Sequence, residues 1–176
     1  MNKEERREDV LGLIQRFEAN KESYVRSSSE YNETQLRTDF LNPFLEALGW
    51  DVFNRKNASQ HLREVVQETT VKVGDQEHSS TKKPDYALRM GADRKFFVEA
   101  KRPSTPITTH KAAAFQVRRY GWSARMPISV LTNFDRLVIY DCYPRPRADD
   151  DPCVARIAVY EYKDYPQSFD EIYGLL

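Results

Sequence analysis

Cysteine is scarce in this 176-residue sequence, which contains only Cys142 and Cys153 and no CxxC pair. The scarcity argues against a disulfide framework or a cysteine-rich zinc site and favours a reducing compartment, so we expect a cytoplasmic protein. Apolar runs long enough to cross a membrane are missing, and the charged residues 1–9 contain no signal-peptide core. Glycine-rich phosphate loops and internal repeats are missing as well. We therefore expect no membrane association.

Net charge is also missing, because 27 lysines and arginines balance 27 aspartates and glutamates. A neutral chain does not bind nucleic acid through bulk electrostatics alone. The charges are unevenly distributed, however, because the basic segment, residues 94–125, contains eight lysines and arginines and a single acid, Glu99. The basic residues are Arg94, Lys95, Lys101, Arg102, Lys111, Arg118, Arg119 and Arg125. They form either the solvated face of a helix or a surface that faces phosphate groups.

The remaining composition, 40% hydrophobic and 31% charged, is typical of one globular domain that can bury a core. Apolar periodicity predicts helices at Glu4–Ala19, Asn32–Leu48, His110–Arg125 and Phe169–Leu176. Strands are predicted at Val65–Val73, Tyr86–Met90, Lys95–Ala100, Ile128–Leu131, Leu137–Tyr140 and Val154–Tyr162. Residues 20–29 are predicted to be a connector and 74–81 a loop, and Pro43 should kink the second helix or shift its start.

The chain is organised around a β-hairpin predicted within residues 82–101. Its strands, Tyr86–Met90 and Lys95–Ala100, are rich in aromatic and apolar residues and flank a turn signal at Gly91-Ala92-Asp93. If the turn is centred on Ala92, the two residue numbers in each directly opposed pair add up to 184.

This register places Asp85 opposite Glu99, with Cβ atoms about 5 Å apart. Because side chains alternate along a strand, Glu99 and Lys101 should share one face, while Val98 and Ala100 point into the core. Two opposed carboxylates repel each other, and a divalent cation between them would remove that penalty; their oxygens suit Mg²⁺. A lysine beside such a site could orient an attacking water. The alternative is a surface hairpin in which Asp85 caps a turn and Glu99 and Lys101 form a solvated pair.

The same residues carry a family resemblance. Pro84-Asp85 followed by Glu99-x-Lys101 resembles the signature of PD-(D/E)xK nucleases, and here it lies on a hairpin that a helix follows. The resemblance implies a restriction-endonuclease-like α/β fold with a central mixed β-sheet flanked by helices. It also implies Mg²⁺ bound by Asp85 and Glu99, with the carbonyl of Ala100 as a further ligand, and a catalytic role for Lys101.

Two residues on the third predicted helix extend the resemblance. Gln116 and Tyr120 are four positions apart and share a face. This pair is similar to the Gln-x-x-x-Tyr motif of RecB-like and type I restriction nucleases, which implies that both residues line the active site and position DNA. The alternative is that Tyr120 packs on the sheet and Gln116 is exposed.

Residues 33–50 also resemble a known region, the N-terminal nuclease region of type I restriction enzyme R subunits and of type IIG restriction–modification proteins. By that resemblance Glu33, an acid on the helix before the hairpin, is an accessory metal ligand. Alternatively, Glu33 only complements the dipole at the start of its helix. The resemblance covers about residues 30–176 and divides the chain into an N-terminal helix and connector, 1–29, and a nuclease-like domain, 30–176.

The function that these features predict is Mg²⁺-dependent hydrolysis of double-stranded DNA. Because the basic segment coincides with the motif, we expect Arg102, Lys111, Arg118 and Arg119 to contact DNA. Resembling proteins carry a methyltransferase and a target-recognition region downstream, or act with partner subunits, and we expect this chain to be a fragment of a longer protein. The alternative function is a non-catalytic module that uses the nuclease fold for DNA docking or assembly.

Overall fold

The computed structural model describes residues 2–26, 30–68, 70–73 and 80–176, with the backbone alone at 71–73 and 80–82. The strands are β1 (Val65–Gln67), β2 (Val71–Val73), β3 (Ser80–Lys82), β4 (Tyr86–Met90), β5 (Asp93–Ala100), β6 (Ile128–Thr132), β7 (Arg136–Asp141) and β8 (Arg156–Glu161). Six of them form one sheet in the order β1-β4-β5-β6-β7-β8, while β2 pairs with β3. β5 and β6 run parallel and the other neighbours antiparallel, so the sheet is mixed.

Five α-helices accompany the sheet in the described part of the chain. They are α1 (Lys3–Val25), α2 (Glu33–Leu36), α3 (Asn42–Ala47), α4 (Lys111–Ser123) and α5 (Phe169–Leu175). Side chains of α1, α3 and α5 share one large core with one face of the sheet. Side chains of α4 pack on the opposite face. The predicted fold class, a mixed sheet flanked by helices, is therefore confirmed.

The second predicted helix is one helical segment with an irregular centre. Asn32 caps its start, because its side chain accepts a hydrogen bond from the Gln35 backbone N at 3.0 Å. Between α2 and α3 lies a π-helical turn, Arg37–Leu41, in which the Asn42 backbone N–H donates to the Arg37 carbonyl. The irregularity that Pro43 predicts therefore lies in the turn before the proline. Six apolar residues of this segment, spaced as on one face of a helix, are buried: Leu36, Phe40, Leu41, Phe44, Leu45 and Leu48.

The hairpin has the predicted register, although it reaches that register differently. The turn contains two residues, Gly91 and Ala92, so Met90 pairs with Asp93 and the first paired numbers sum to 183. A bulge between Leu88 and Arg89 adds one residue to the opposite strand. For the three pairs on the far side of the bulge from the turn, Leu88–Phe96, Ala87–Phe97 and Tyr86–Val98, the residue numbers add up to 184, as expected. Without the bulge, every residue beyond it would be paired one position away.

The two faces of β5 point into different cores. Phe96, Val98 and Ala100 belong to the large core with α1 and α3. Phe97 packs with Tyr120 on the α4 side of the sheet, and Glu99 shares its face because side chains alternate. β5 therefore presents Glu99 to α4, the helix that connects β5 to the parallel strand β6.

The structure corrects the predicted connector at 20–29. α1 continues to Val25, and its last turns are anchored by Tyr24, whose ring centroid lies 5.7 Å from that of Phe17 and 4.4 Å from that of Tyr31. Ser23 Oγ also donates to the Asn20 carbonyl at 2.7 Å, so a polar side chain is satisfied within the helix. Residues 27–29 lie outside the described residues.

The single strand predicted at Val65–Val73 is also wrong. β1 ends at Gln67 and β2 begins at Val71, and the two strands belong to different sheets. The break follows from Glu68, whose φ of 51° turns the chain out of the extended conformation. In the predicted loop at 74–81, residues 80 and 81 belong to β3, and 74–79 lie outside the described residues.

Among the helices of the described residues, none combines the length and apolarity needed to span a membrane. Both cysteines are free thiols, Cys142 buried and Cys153 exposed.

Candidate active site

Asp85 lies immediately before β4, and its carboxylate is held against the end of β5. Oδ2 accepts a hydrogen bond from the Ala100 backbone N at 2.7 Å, and Oδ1 accepts one from Arg37 Nη1 at 2.9 Å. The side chain is 22% exposed. Asp85 is therefore oriented by two donors while part of its surface still faces solvent.

Glu99 is more deeply placed, with 5% of the residue exposed. Its Oε1 accepts hydrogen bonds from Lys101 Nζ and from Gln116 Nε2, each at 2.8 Å. Its Oε2 is buried and has no hydrogen-bond partner among the described residues. A buried carboxylate oxygen without a donor is costly, and a cation or a water beside this atom would offset that cost.

Gln116 and Tyr120 extend the network along α4. Gln116 Nε2 also donates to Tyr120 Oη at 2.7 Å, and Gln116 Oε1 accepts from Lys101 Nζ at 3.4 Å. Tyr120 is 3% exposed and packs on Ala87 and Phe97, so the tyrosine is both a packing residue and the end of a polar chain that leads to Glu99. The structure thus brings four predicted site residues, Glu99, Lys101, Gln116 and Tyr120, into one hydrogen-bonded cluster, with Asp85 beside it.

The electrostatics of the two carboxylates reflect their burial. Burial raises the pKa of Asp85 above its ordinary value, and this effect outweighs the opposing effects of the Ala100 N–H and the Arg37 charge. Burial also raises the pKa of Glu99; the Lys101 charge opposes this rise and the negative charge of Asp85 adds to it. Both groups therefore carry their negative charge at a cost in the absence of a further cation.

The donor set fits a divalent cation in its chemistry. Two carboxylates of raised pKa, one with an orphaned oxygen, offer the hard oxygen ligands that Mg²⁺ prefers. Within the described ranges, however, no group of three or more His, Cys, Asp or Glu side chains is close enough together to hold a metal ion. The chain therefore offers a pair of carboxylates, each already in contact with a basic side chain.

Glu33 and Ala100, the other two predicted ligands, are placed differently. Glu33 lies at the start of α2, 38% exposed, and its Oε1 is 3.6 Å from Arg102 Nε. Its charge contributes to the raised pKa of Asp85, so the two carboxylates are within electrostatic reach of each other. Ala100 is the last residue of β5, next to both Glu99 and Lys101. The ligand roles of Glu33 and of the Ala100 carbonyl stay predictions.

The predicted DNA-contacting residues divide into two groups. Arg102 and Lys111 are exposed and Arg119 is half-buried, with its guanidinium 5.7 Å from the centroid of the Phe115 ring. Arg118 is 1% exposed, and its Nη1 lies 2.7 Å from Asp150 Oδ2. The prediction that Arg118 faces DNA is therefore wrong, because a buried guanidinium held by a carboxylate cannot reach a phosphate.

Sequence reasoning missed two residues of the site, Arg37 and Glu68. Arg37 donates from Nη1 to Asp85 and from Nη2 to Glu68 Oε1 at 3.3 Å, and its guanidinium lies 6.0 Å from the centroid of the Tyr86 ring. The only sequence signal was that Arg37 follows Glu33 by one helical turn, which is an ordinary spacing for an ion pair. The contact with Asp85, 48 positions away, required the tertiary structure.

The raised pKa of Glu99 predicts a pH-dependent difference between the wild type and Glu99→Gln. The unfolded glutamate loses its proton near its ordinary pKa of 4.5, whereas the folded one retains it to higher pH. As pH rises through the folded pKa, the wild type acquires a buried charge and loses stability, but glutamine stays neutral. Urea unfolding in EDTA should therefore show the free energy of unfolding of Glu99→Gln rising relative to wild type as the pH increases above 4.5. A difference that is constant or falls over that range would contradict the assignment.

Comparisons with known proteins give a family and a relative for this chain. Residues 30–147 match the family model described as type I restriction enzyme R protein N terminus. The chain is also 42% identical over all 176 residues to the type II restriction enzyme and methyltransferase RM.Eco57I of Escherichia coli. It spans 17% of that relative's length.

No solved structure matches the chain. The family match covers well over half of the chain and includes the hairpin, Asp85, Glu99, Lys101 and α4. This protein therefore belongs to the family of type I restriction enzyme R protein N termini.

Proposed function

We propose that the chain is an endonuclease domain that hydrolyses phosphodiester bonds of double-stranded DNA with Mg²⁺. The observation that carries the proposal is the convergence of Asp85, Glu99 and Lys101 at one end of the hairpin, with Gln116 bound to both Glu99 and Lys101. The names of the family and of the Escherichia coli relative, both restriction enzymes, support the same activity.

Asp85 and Glu99 would hold the cation, with the Ala100 carbonyl and Glu33 as further ligands. Glu99 Oε2 has no donor among the described residues, and Asp85 faces solvent in part, so each carboxylate can give an oxygen without losing all its present contacts. A bound Mg²⁺ would neutralise phosphate charge and favour ionisation of the attacking water.

We assign to Lys101 the direct contact with the attacking water and the phosphate. Its Nζ is held between Glu99 Oε1 and Gln116 Oε1, and its side chain is 22% exposed, so the ammonium is oriented and still accessible. There it would orient the attacking water and stabilise the charge that develops on the phosphate. Gln116 would position Lys101 and Glu99 and contact the substrate, and Tyr120, which is 3% exposed, would act through its hydrogen bond with Gln116.

Binding of DNA would use the exposed basic residues around the site, Arg102 and Lys111, together with Arg119. With a net charge of zero, the chain should bind DNA weakly, and the binding should fade as added salt competes for the phosphates. We further propose that the protein works in the cytoplasm, and that a methyltransferase and target-recognition region, or partner subunits, supply sequence specificity. The relative is itself described as both restriction enzyme and methyltransferase.

The test compares wild type with Asp85→Asn, which we expect to lose Mg²⁺ binding and DNA cleavage together. Asparagine is preferred to alanine because its amide oxygen can still accept from one of the two donors, the Ala100 N–H or Arg37 Nη1, whereas alanine accepts from neither. Plasmid cleavage would be measured for the chain alone and for a chimera in which it replaces the matching segment of the Escherichia coli relative. Calorimetric titration with MgCl₂ would be run on both variants. Cleavage that survives Asp85→Asn, or that is unaffected by EDTA, would refute the proposal.

A second function, a non-catalytic DNA-docking or assembly module, is favoured by one observation. Each carboxylate is already in contact with a cation of the chain itself, Asp85 with Arg37 and Glu99 with Lys101. Internal neutralisation of this kind would suit a site that no longer binds metal. If neither the chain nor the chimera cuts under any condition, and MgCl₂ titration shows no binding, this function replaces the first.

A further inference from the structure

We propose that Arg37 is a latch on the metal site: its guanidinium occupies Asp85 when no cation is bound and must leave Asp85 when one binds. Glu68 is the second position of the latch, which retains the guanidinium after release. The inference rests on the proposed Mg²⁺ site at Asp85 and Glu99, and it adds a device that controls access to that site.

The geometry places one guanidinium between two carboxylates. Arg37 Nη1 is 2.9 Å from Asp85 Oδ1, and Nη2 is 3.3 Å from Glu68 Oε1. The arginine side chain is 12% exposed, whereas those of Asp85 and Glu68 are 22% and 61% exposed. The shorter contact therefore joins the two less exposed groups, where the attraction between charges is least weakened by water.

The latch and a cation would compete for the same oxygen. Asp85 Oδ2 is already engaged by the Ala100 N–H, so Oδ1 is the oxygen that lies towards Arg37. A divalent cation on Oδ1 would face a guanidinium 2.9 Å away from that atom, which is unfavourable because both are positive. A cation bound at Oδ1 would repel the guanidinium, so we expect the Arg37–Asp85 contact to lengthen when the cation binds.

Glu68 is held in a conformation that suits the second position. Its φ is 51°, in the left-handed region that non-glycine residues seldom occupy and that recurs at functional sites. In this conformation its backbone N–H donates to the Asp85 carbonyl at 3.0 Å while its side chain reaches Arg37. Glu68 is thus fixed to Asp85 through its backbone and to Arg37 through its side chain. The guanidinium therefore has Asp85 as a partner before it moves and Glu68 as a partner afterwards.

The segment that carries Arg37 is irregular, and one donor of the arginine is unused. Arg37 is the first residue of the π-helical turn, and its Nε is buried without a hydrogen-bond partner among the described residues. Single π-helical turns occur frequently at functional sites. Arg37 is held in its observed position by Asp85 and Glu68. Its Nε is a further donor that neither contact uses.

The test measures Mg²⁺ affinity in variants whose effects should have opposite signs. Calorimetric titration of the chain with MgCl₂ should give a dissociation constant about tenfold lower for Arg37→Gln than for wild type, because the competing charge is gone. Glu68→Gln should raise the dissociation constant about threefold, because the guanidinium then has Asp85 as its sole partner. In the double variant, the effect of Glu68→Gln should vanish, since it acts through Arg37.

Two further variants separate the latch from general electrostatics and from folding. Arg94→Gln removes an exposed positive charge from β5, five residues before Glu99 and so about 17 Å along the strand, and it should change the dissociation constant less than about twofold. Arg37→Lys keeps the charge but loses the two-pronged contact, so its affinity should lie between those of wild type and Arg37→Gln. Thermal unfolding in EDTA monitors folding of every variant.

The outcomes distinguish the latch from the proposed function. If wild type binds Mg²⁺ and Asp85→Asn does not, while Arg37→Gln leaves affinity unchanged or weakens it, the metal site stands and the latch is wrong. If Glu68→Gln weakens binding equally with and without Arg37, Glu68 acts by its charge alone and the two-position latch is wrong. If neither wild type nor Arg37→Gln binds Mg²⁺, both proposals fail.

Discussion

Replacing Lys101 with methionine is expected to lower Mg²⁺-dependent DNA cleavage by about a thousandfold or more while Mg²⁺ binding is retained. The ammonium has its nearest contact with Glu99 Oε1 at 2.8 Å, and methionine has no group that could orient water or stabilise phosphate charge. Glu99 would keep its hydrogen bond from Gln116 Nε2, so its position should be preserved. Losing a cation next to Glu99 should leave Mg²⁺ affinity unchanged or increase it.

The control for this prediction is Lys101→Arg. Arginine keeps the positive charge but does not give up a proton in proteins, so it separates the electrostatic role from proton transfer. Partial recovery of cleavage would assign Lys101 mainly to charge stabilisation, and no recovery would assign it to orientation or deprotonation of water. Single-turnover cleavage at saturating MgCl₂, with calorimetry on the same samples, measures both quantities. Cleavage by Lys101→Met within about tenfold of wild type would remove Lys101 from the reaction.

The hairpin shows how far a sequence can predict a site of this kind. The alternation of β5 was sufficient to place Glu99 on the face opposite Val98 and Ala100, which point into the large core. That α4 covers the Glu99 face came from the structure. The register was correct because two deviations cancelled: the turn is one residue shorter than assumed, and the bulge at Leu88 restores the sum. A bulge carries no local signature in this sequence, so the agreement depended on the apolar pattern that both strands must satisfy.

The ion pairs could not be predicted in the same way. Arg118 and Arg119 are neighbours on one helix, yet Arg118 is buried against Asp150 while Arg119 is half-buried beside Phe115. The difference is set by the helix rotation and by a loop 32 positions away, and neither is encoded in local charge. Arg37 was missed for the same reason, since its partners Asp85 and Glu68 come close only after the sheet has formed. Local sequence patterns specify which face of a strand or helix a side chain lies on, whereas the ion-pair partners of distant residues are determined by the topology of the fold.

Replacing Gly121 with alanine is expected to destabilise the fold by about 2–3 kcal/mol and to lower cleavage as well. Gly121 lies in α4 directly after Tyr120, where the helix crosses the sheet. A methyl group there would lie 2.3 Å from Cys142 Sγ and 2.5 Å from Ser129 Oγ, closer than real contacts allow. The two side-chain ends could rotate, but Cys142 Cβ, at 2.8 Å, is fixed to the backbone, so α4 and the sheet must separate. The gain in helix propensity of about 1 kcal/mol does not offset this separation.

That movement links packing to the proposed chemistry. Gln116 and Tyr120 lie on the same helix, and Gln116 reaches Glu99 by a 2.8 Å hydrogen bond that a shift of α4 would lengthen. Cleavage by Gly121→Ala should therefore be reduced even at temperatures where the variant is fully folded. Adding Cys142→Ala removes the nearest clashing atom and should recover part of both the stability and the cleavage.

The matched control is Gly12→Ala on α1. A methyl group at Gly12 has no neighbour within 4 Å, so only helix propensity changes and stability should rise by about 0.5–1 kcal/mol. Urea unfolding of both variants, with cleavage measured well below the unfolding transition, compares the two glycines directly. If Gly121→Ala is as stable as wild type, α4 is not packed against β6 as described. If it is destabilised but, when folded, cuts at the wild-type rate, the position of α4 does not govern the site, and Gln116 would then have no role in holding Glu99 and Lys101.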